Sequence, residues 1–342
     1  MATFKIYKLQ FTSPLHIGDQ HEGEDVSLKT IASDTLQAAL MACLAKIGET
    51  IPASGDLGFT VSSTFPYYQK EEADQPIYFL PMPLQARLPM LTDVGMAKKV
   101  KKVQWVDIGF YSKVLAGENF FDGKDDYLPY IQGCYLTQSN IPDGADGSKE
   151  FIKSEMVQRV TLASRTGQED AKPYFVDRVV FRDCSGLYFI AMGDTTLLDK
   201  GLAILSQEGI GTDRHVGYGC FQYQTGNIDI ELPSDAQFMV SLSIFIPESS
   251  EQMQDLLASE QIAYDFMRRG GWITTHSNNT LRKDAIYAFT PGSVFKKIDD
   301  NQVATIGKIA DLTPSIGNMT PPHTIWRNGK SIMLPYKLTE TV

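Results

Sequence analysis

The stretch Gly209-Ile210-Gly211-Thr212-Asp213-Arg214-His215-Val216-Gly217-Tyr218-Gly219-Cys220-Phe221 carries four glycines and an Arg-His pair within thirteen residues. Glycine tolerates positive φ and lets a partner approach the backbone closely. A loop of this kind can expose N–H groups as an anion-binding nest, with the Arg214 guanidinium adding a charged fork. The segment is not a Walker loop, because no Gly-Lys-Ser/Thr follows. Nor does it open a helix after a strand, as a dinucleotide fingerprint does. A helix C-cap followed by a tight turn explains the same residues equally well, so both readings stay open here.

Working outward, Thr195–Glu208 has Leu197, Leu198, Leu202 and Leu205 at helical spacing, and Tyr218–Tyr223 reads as a returning strand. The glycine segment therefore lies after a helix and before a strand. Upstream, Tyr174–Phe181 and Gly186–Ala191 read as two strands joined in a hairpin by Arg182-Asp183-Cys184-Ser185. At the start of the chain, Phe4–Thr12 alternates apolar and polar residues, the pattern of a half-buried strand. A loop with His16, Gly18, His21 and Gly23 follows, then a helix over 35–47 that Ser33 or Asp34 can cap. Leu36, Leu40, Leu44 and Ile47 form its apolar face.

Residues 57–64 and 77–80 are further strand candidates, and Pro81, Pro83 and Pro89 then interrupt regular structure. From about 90 to 170 the chain turns polar and irregular, as an insertion would. A second cycle begins near 236, with a strand over Ala236–Ile246, a helix over 249–259 and short strands after it. The predicted class is α+β: two ferredoxin-like (RRM-like) domains with a large insertion in the first. The expected boundaries are 1–230, with the insertion at about 90–170, and a less regular domain over 231–342.

Composition narrows the function classes. Of 342 residues, 43% are hydrophobic and 21% charged, enough for a substantial core. No apolar run approaches the roughly 20 residues needed to span a bilayer. Met1-Ala2-Thr3 leads straight into a strand pattern, so no signal peptide and no membrane partner are expected. Cys43, Cys134, Cys184 and Cys220 form no CxxC pair, which predicts free thiols in a reducing cytoplasm and no metal site. The net charge of −10 opposes phosphate binding in bulk, yet the cations are clustered. Lys98, Lys99, Lys101 and Lys102 form one knot, next to Trp105 as a stacking surface. Arg159, Arg165, Lys172, Arg178 and Arg182 form a looser stripe, in which Arg159 and Arg165 precede the loop Thr166-Gly167. Arg268-Arg269-Gly270-Gly271 reads as a surface or domain-interface turn, and Phe65, Tyr67 and Tyr68 read as core.

Five stretches in this order resemble the RAMP superfamily of CRISPR proteins and, within it, the Csm subunit-four family. They are the glycine segment; the turn His16-Ile17-Gly18 with Ser33-Asp34-Thr35-Leu36; Asp177-Arg178 ahead of Gly186-Leu187-Tyr188-Phe189; Tyr287–Phe295; and Trp326-Arg327-Asn328-Gly329-Lys330. The resemblance runs from Phe4 to Tyr336 and is weakest over 90–170. It implies a non-catalytic subunit of a type III-A effector that binds the 5′ handle of crRNA. Its partners would be the large palm-domain subunit and the backbone RAMP subunit, and the insertion would form a thumb-like element. The RNA-binding residues so implied are His16, Lys98, Lys99, Lys101, Lys102, Arg159, Arg165, Arg178, Gly209, Gly211, Arg214, His215, Gly217 and Gly219. No catalytic residue, metal or cofactor is expected. The competing reading is a RAMP endoribonuclease that processes crRNA precursors with His16 and His215 as acid and base. A nucleotide-dependent enzyme would need the Lys and Ser/Thr that the glycine segment lacks, and a purely structural assembly protein would leave Arg178 and Arg214 without RNA.

Overall fold

In the computed structural model the described residues are 1–18, 23–87, 94–118, 129–160, 172–271, 273, 282–299, 301–314 and 323–338. The first part of the chain forms β1 (Ala2–Phe11), α1 (Ser33–Lys46), β2 (Phe59–Val61), β3 (Phe65–Tyr68) and β4 (Ile77–Pro81). It continues through α2 (Val94–Lys101), β5 (Trp105–Asp107), α3 (Ile108–Leu115), β6 (Ile131–Gln132) and β7 (Tyr135–Leu136). Next come β8 (Ile152–Val160), β9 (Pro173–Phe181), β10 (Gly186–Gly193), α4 (Thr196–Glu208) and β11 (Phe221–Ile230). The remainder holds β12 (Phe238–Ser241), α5 (Ser250–Leu256), β13 (Phe266–Arg269), β14 (Ile286–Phe289) and β15 (Val294–Lys296). It closes with β16 (Ala304–Ile306), β17 (Ile309–Asp311), β18 (Trp326–Asn328) and β19 (Ser331–Tyr336). The class is α+β, with several sheets and few helices.

The main sheet runs β11-β1-β10-β3-β4-β5-β7-β6, with β2 also paired to β10. Strand β1 lies between β10 and β11 and is antiparallel to both. It is buried on both faces: Phe4 and Ile6 point into one core cluster, and Tyr7 and Leu9 into the other. The alternation that predicts a half-buried strand comes from Lys5 and Lys8. These lay their stems along the sheet and donate to Thr195 Oγ1 (2.8 Å) and Gln69 Oε1 (2.9 Å).

Helices α1 and α4 cover one face. Leu36, Leu40 and Leu44 meet Leu198, Leu202 and Leu205 there, all fully buried. Each such leucine contributes about 1.5–3 kcal/mol on burial. Ile47, expected on that face, falls past the helix end and is 46% exposed. Helix α1 takes Ala32 as its N-cap, without a side-chain bond. Ser33 Oγ instead accepts the Ile244 N–H (2.9 Å), which ties the helix start to the C-terminal part of the chain.

The opposite face is covered by α3 and by a second sheet ordered β15-β12-β19-β16. Val240, Leu242, Ile332, Leu334 and Tyr336 join Phe4, Ile6, Tyr188 and Ile190 in one cluster. The two sheets thus share a continuous core. Among the described residues, the seven-residue helix α5 lies beside the second sheet, against β15.

Two expectations need correction. The stretch 90–170 is not uniformly irregular: β5 pairs with β4, and β6 and β7 extend the main sheet. Burial of Val100, Val103, Phe110, Tyr111, Val114 and Leu115 explains why the described residues 94–118 pack on the main sheet. The strand over 173–181 also does not form a hairpin with the strand after it. Strand β9 pairs with β8 in a two-stranded ribbon, while β10 turns into the main sheet beside β1 and β3. Asp183, at φ 59°, makes the sharp change of direction between them.

Candidate nucleic-acid interface

The glycine segment closes α4 and folds back on the loop after β1. Gly209 caps the helix at φ 78°, donating its N–H to Leu205 O (2.9 Å). Ile210 is 2% exposed and plugs the helical core. Further bonds join the two loops: Ile210 N–H to Gly219 O (3.0 Å), Thr212 N–H to His16 O (3.1 Å), and Gly219 N–H to Pro14 O (2.8 Å). Cys220 N–H donates to Ser13 Oγ (2.9 Å). A Cβ on Gly211 would stand 2.3 Å from His16 O, and one on Gly219 would stand 1.9 Å from Ile210 O. These glycines allow backbone to approach backbone. Most of the N–H groups expected to form an anion nest are therefore engaged within the protein. What the loop presents outward is its tip, a 3₁₀ turn over Asp213–Val216 with His215 and Val216 exposed, closed by Gly217 in the left-handed region at φ 87°.

The β8–β9 ribbon is fastened to these loops. Leu15 bridges Val179, and Ser27 N–H donates to Asp177 Oδ2 (3.0 Å). His16 is 3% exposed, and its Nδ1 lies 2.5 Å from the Asp177 carbonyl oxygen. Its ring fixes ribbon to loop and does not face solvent. Arg159 Nη1 binds Asp213 Oδ2 (2.8 Å), and its guanidinium lies 5.0 Å from the Tyr218 ring centroid. Arg178 sits opposite Glu155 in register and donates to Glu155 Oε2 from Nε (3.1 Å) and Nη2 (2.8 Å). Both arginines thus hold carboxylate partners beside the glycine segment. Arg165 lies outside the described residues.

Arg214 belongs to a different neighbourhood. It borders a cleft of about 1300 Å³ between the loops of the first sheet and the C-terminal part of the chain. One wall holds Gly18, Gly211, Thr212 and Arg214; the other holds Arg268, Arg269, Gly270, Gly271, Lys283 and Arg327. Ala38, Ala39, Ala42 and Ala45 on the outer side of α1 form a smooth floor, with Lys46 at its end. No Asp or Glu lines the cleft among the described residues. A chain of net charge −10 therefore carries a locally positive groove, the arrangement that concentrates a polyanion.

Behind the wall of this cleft, Arg269 and Arg327 join a buried ionic cluster. Asp34, with no exposed side-chain surface, accepts from Arg269 Nε (2.8 Å) and Nη2 (2.8 Å) and from Arg327 Nη1 (2.5 Å). Arg327 Nη2 also donates to Gly270 O (2.9 Å). Burial pushes the Asp34 carboxyl upward, but the two guanidiniums outweigh it and hold the pKa below the usual carboxylate range. Burial, reinforced by Arg327, lowers the Lys283 ammonium to about 8.

The structure brings Gly211 and Arg214 to the cleft, and places Gly209, Gly217, Gly219 and His215 in the adjoining loop. Lys98, Lys99, Lys101 and Lys102 are exposed at the C-terminal end of α2 and do not line it. That helix is anchored through Val100 to the core on the far face of the main sheet. Trp105 is half-buried against Phe65, with centroids 6.2 Å apart, so it packs as part of the core. Arg268, Arg269, Lys283 and Arg327 are cleft residues that local pattern does not mark as such. The run Arg268-Arg269-Gly270-Gly271 was the available signal, but its partner Asp34 lies 235 residues away from Arg269.

Residues 234–336 match the family model of the CRISPR Csm4 C-terminal domain. The chain is 24% identical to the CRISPR system Cms protein Csm4 of Streptococcus thermophilus over 333 residues, covering 94% of this chain and 97% of that one. It is 27% identical to the Mycobacterium tuberculosis protein of the same name over 299 residues, covering 82% and 85%. Among solved structures it resembles a chain of the Csm3-Csm4 subcomplex in the type III-A CRISPR-Cas interference complex. That match has 18% identity, a TM-score of 0.61, and coverage of 98% of this chain and all of the other. A chain of the Csm1-Csm4 cassette in complex with pppApA aligns at 19% identity and a TM-score of 0.56, covering 99% and 100%. The resemblance drawn from the sequence is shown by these matches and extends over both parts of the chain.

Proposed function

We propose that this Csm4-like chain is a non-catalytic RNA-binding subunit of a type III-A CRISPR interference complex. In that role it holds the 5′ handle of crRNA and links the large palm-domain subunit to the backbone subunits. The observation that carries the reading is the cationic cleft, lined by Arg214, Arg268 and Lys283, and by Arg269 and Arg327 that share the buried Asp34, with no lining carboxylate among the described residues. Phosphates need that charge, and single-stranded RNA needs an open groove to lie in. The thumb-like element expected at about 90–170 is best represented by β8, whose ribbon partner β9 lies just past that boundary and stands beside the cleft loops. Strand order β11-β1-β10-β3, with α1 and α4 on one face, supports a ferredoxin-like first domain over 1–230. The 231–342 part is its less regular counterpart. Four free cysteines accord with a cytoplasmic setting.

The nuclease alternative gains no support from the geometry, because the His16 ring is buried and bonded to a main-chain carbonyl while His215 is exposed at the loop tip. Co-expression with the partner subunits, followed by sequencing of the retained RNA, tests the reading. Handle-bearing RNA is the expected product. Its affinity for the purified chain falls with salt, and Arg214→Ala reduces the salt slope by about one. An unchanged RNA footprint in an R214A/R268A variant refutes direct contact, and repeat-RNA cleavage that disappears in H16A reinstates the nuclease.

A further inference from the structure

The ribbon formed by β13 and β14 buries Phe289 in the core but leaves Phe266 and Tyr287 exposed, with Tyr264 just ahead of β13. Phe266 is 55% exposed, Tyr287 64% and Tyr264 43%, a concentration of large exposed rings on one small surface. Phe266 and Tyr287 meet edge to face, with centroids 5.7 Å apart and an interplanar angle of 82°. Arg268 stands opposite Tyr287 in register and shares the outward face with Phe266 two residues before it. The inward face of the same ribbon is fixed: Ala288 is buried with Met267 packed beside it, and Arg269 is bound to Asp34. Alternation along one strand thus anchors Arg269 and presents Phe266 and Arg268 on a rigid support.

We infer that this outward face is a stacking platform for the bases of single-stranded RNA that runs out of the cationic cleft. The inference rests on the RNA-binding reading above. Arg268 belongs to both surfaces, since it also lines the cleft, so a strand leaving the cleft at that guanidinium meets the rings beside it. Asp265, beside Phe266, turns its carboxylate back onto the Phe266 N–H (2.8 Å). Exposed rings flanked by a guanidinium suit nucleobases, because every base offers a π-face and the arginine meets the phosphate or stacks in turn. Stacking of this kind is tolerant of sequence, which distinguishes the platform from any base-specific reading of the handle.

The test compares two probes on the full chain: a single-stranded RNA of about a dozen nucleotides and an abasic ribose-phosphate strand of the same length. A Phe266→Ala/Tyr287→Ala double variant loses about fivefold or more in affinity for the base-bearing strand and nothing for the abasic strand. Its melting temperature stays that of the wild type, because both rings are exposed, and Phe266→Tyr retains binding. Equal affinities of variant and wild type for the base-bearing strand overturn the platform while leaving the RNA-binding function intact. Loss of a partner subunit in co-purification with RNA binding unchanged also overturns it, since the surface is then a protein contact. Failure of the wild type to bind either strand is the distinct outcome that refutes the underlying function.

Discussion

Replacing Asp34 with Asn tests whether the buried charge cluster holds the cleft together. The substitution keeps the size of the side chain but leaves the guanidiniums of Arg269 and Arg327 facing each other without their shared anion. Breaking a buried pair from one side costs about 3–5 kcal/mol, because the remaining charge stays desolvated. With an unfolding entropy of about 2.1 cal/mol/K per residue over 342 residues, that cost lowers the melting temperature by about 4–7 °C at neutral pH. The carboxyl is held below its ordinary pKa in the folded state, so its contribution is complete above the unfolded value of about 3.9. It is lost only as pH falls through the lower folded value. Thermal melts of wild type and D34N should therefore differ by a constant amount from about pH 5 to 7, begin to converge as the pH falls below about 4, and meet only below the folded value. A combined Asp34→Leu, Arg269→Met, Arg327→Met variant should recover most of the stability, since an apolar cluster of similar volume removes the desolvation penalty. A D34N protein that melts within about 1 °C of wild type at pH 7 refutes the reasoning.

The glycine segment should respond very unevenly to alanine. At Gly217, φ is 87° with nothing within 4 Å of an added Cβ, so Gly217→Ala costs only the left-handed strain of about 1–2 kcal/mol. At Gly211 the same change drives a methyl to 2.3 Å from His16 O and must separate the two loops, a larger loss that urea titration resolves. Lys283 supplies a second pH signature, of the same sign as that of Asp34 but in the alkaline range. Its folded pKa of about 8 lies below the unfolded value of about 10.4, so the unfolded chain holds more protons between them and stability rises with pH across that window. Lys283→Met should flatten this rise in melts taken from pH 7 to 10.

Much of the fold follows from local pattern. The leucines at 36, 40 and 44 and at 198, 202 and 205 mark two helices with one apolar side each. The position of the glycine segment after a helix and before a strand survives in the structure unchanged. Tertiary structure decided the rest, because pairing depends on partners that period alone does not specify. The runs over 173–181 and 186–193 are both strands, yet the first pairs backward with β8 and the second enters the main sheet. His16 and Arg214 look equivalent as polar loop residues, but packing buries one against Asp177 and turns the other to the cleft. The glycine segment itself shows the division most clearly. Its residues determined that the backbone must come close to something; only the fold revealed that the something is the loop Pro14–His16, whose carbonyls compete for the same N–H groups that a phosphate would use. The cationic cleft lay beyond sequence reading for the same reason. Apart from Lys46, its cations come from separate loops and strands between Arg214 and Arg327, and Asp34, more than two hundred positions before Arg269 and Arg327, draws those two together.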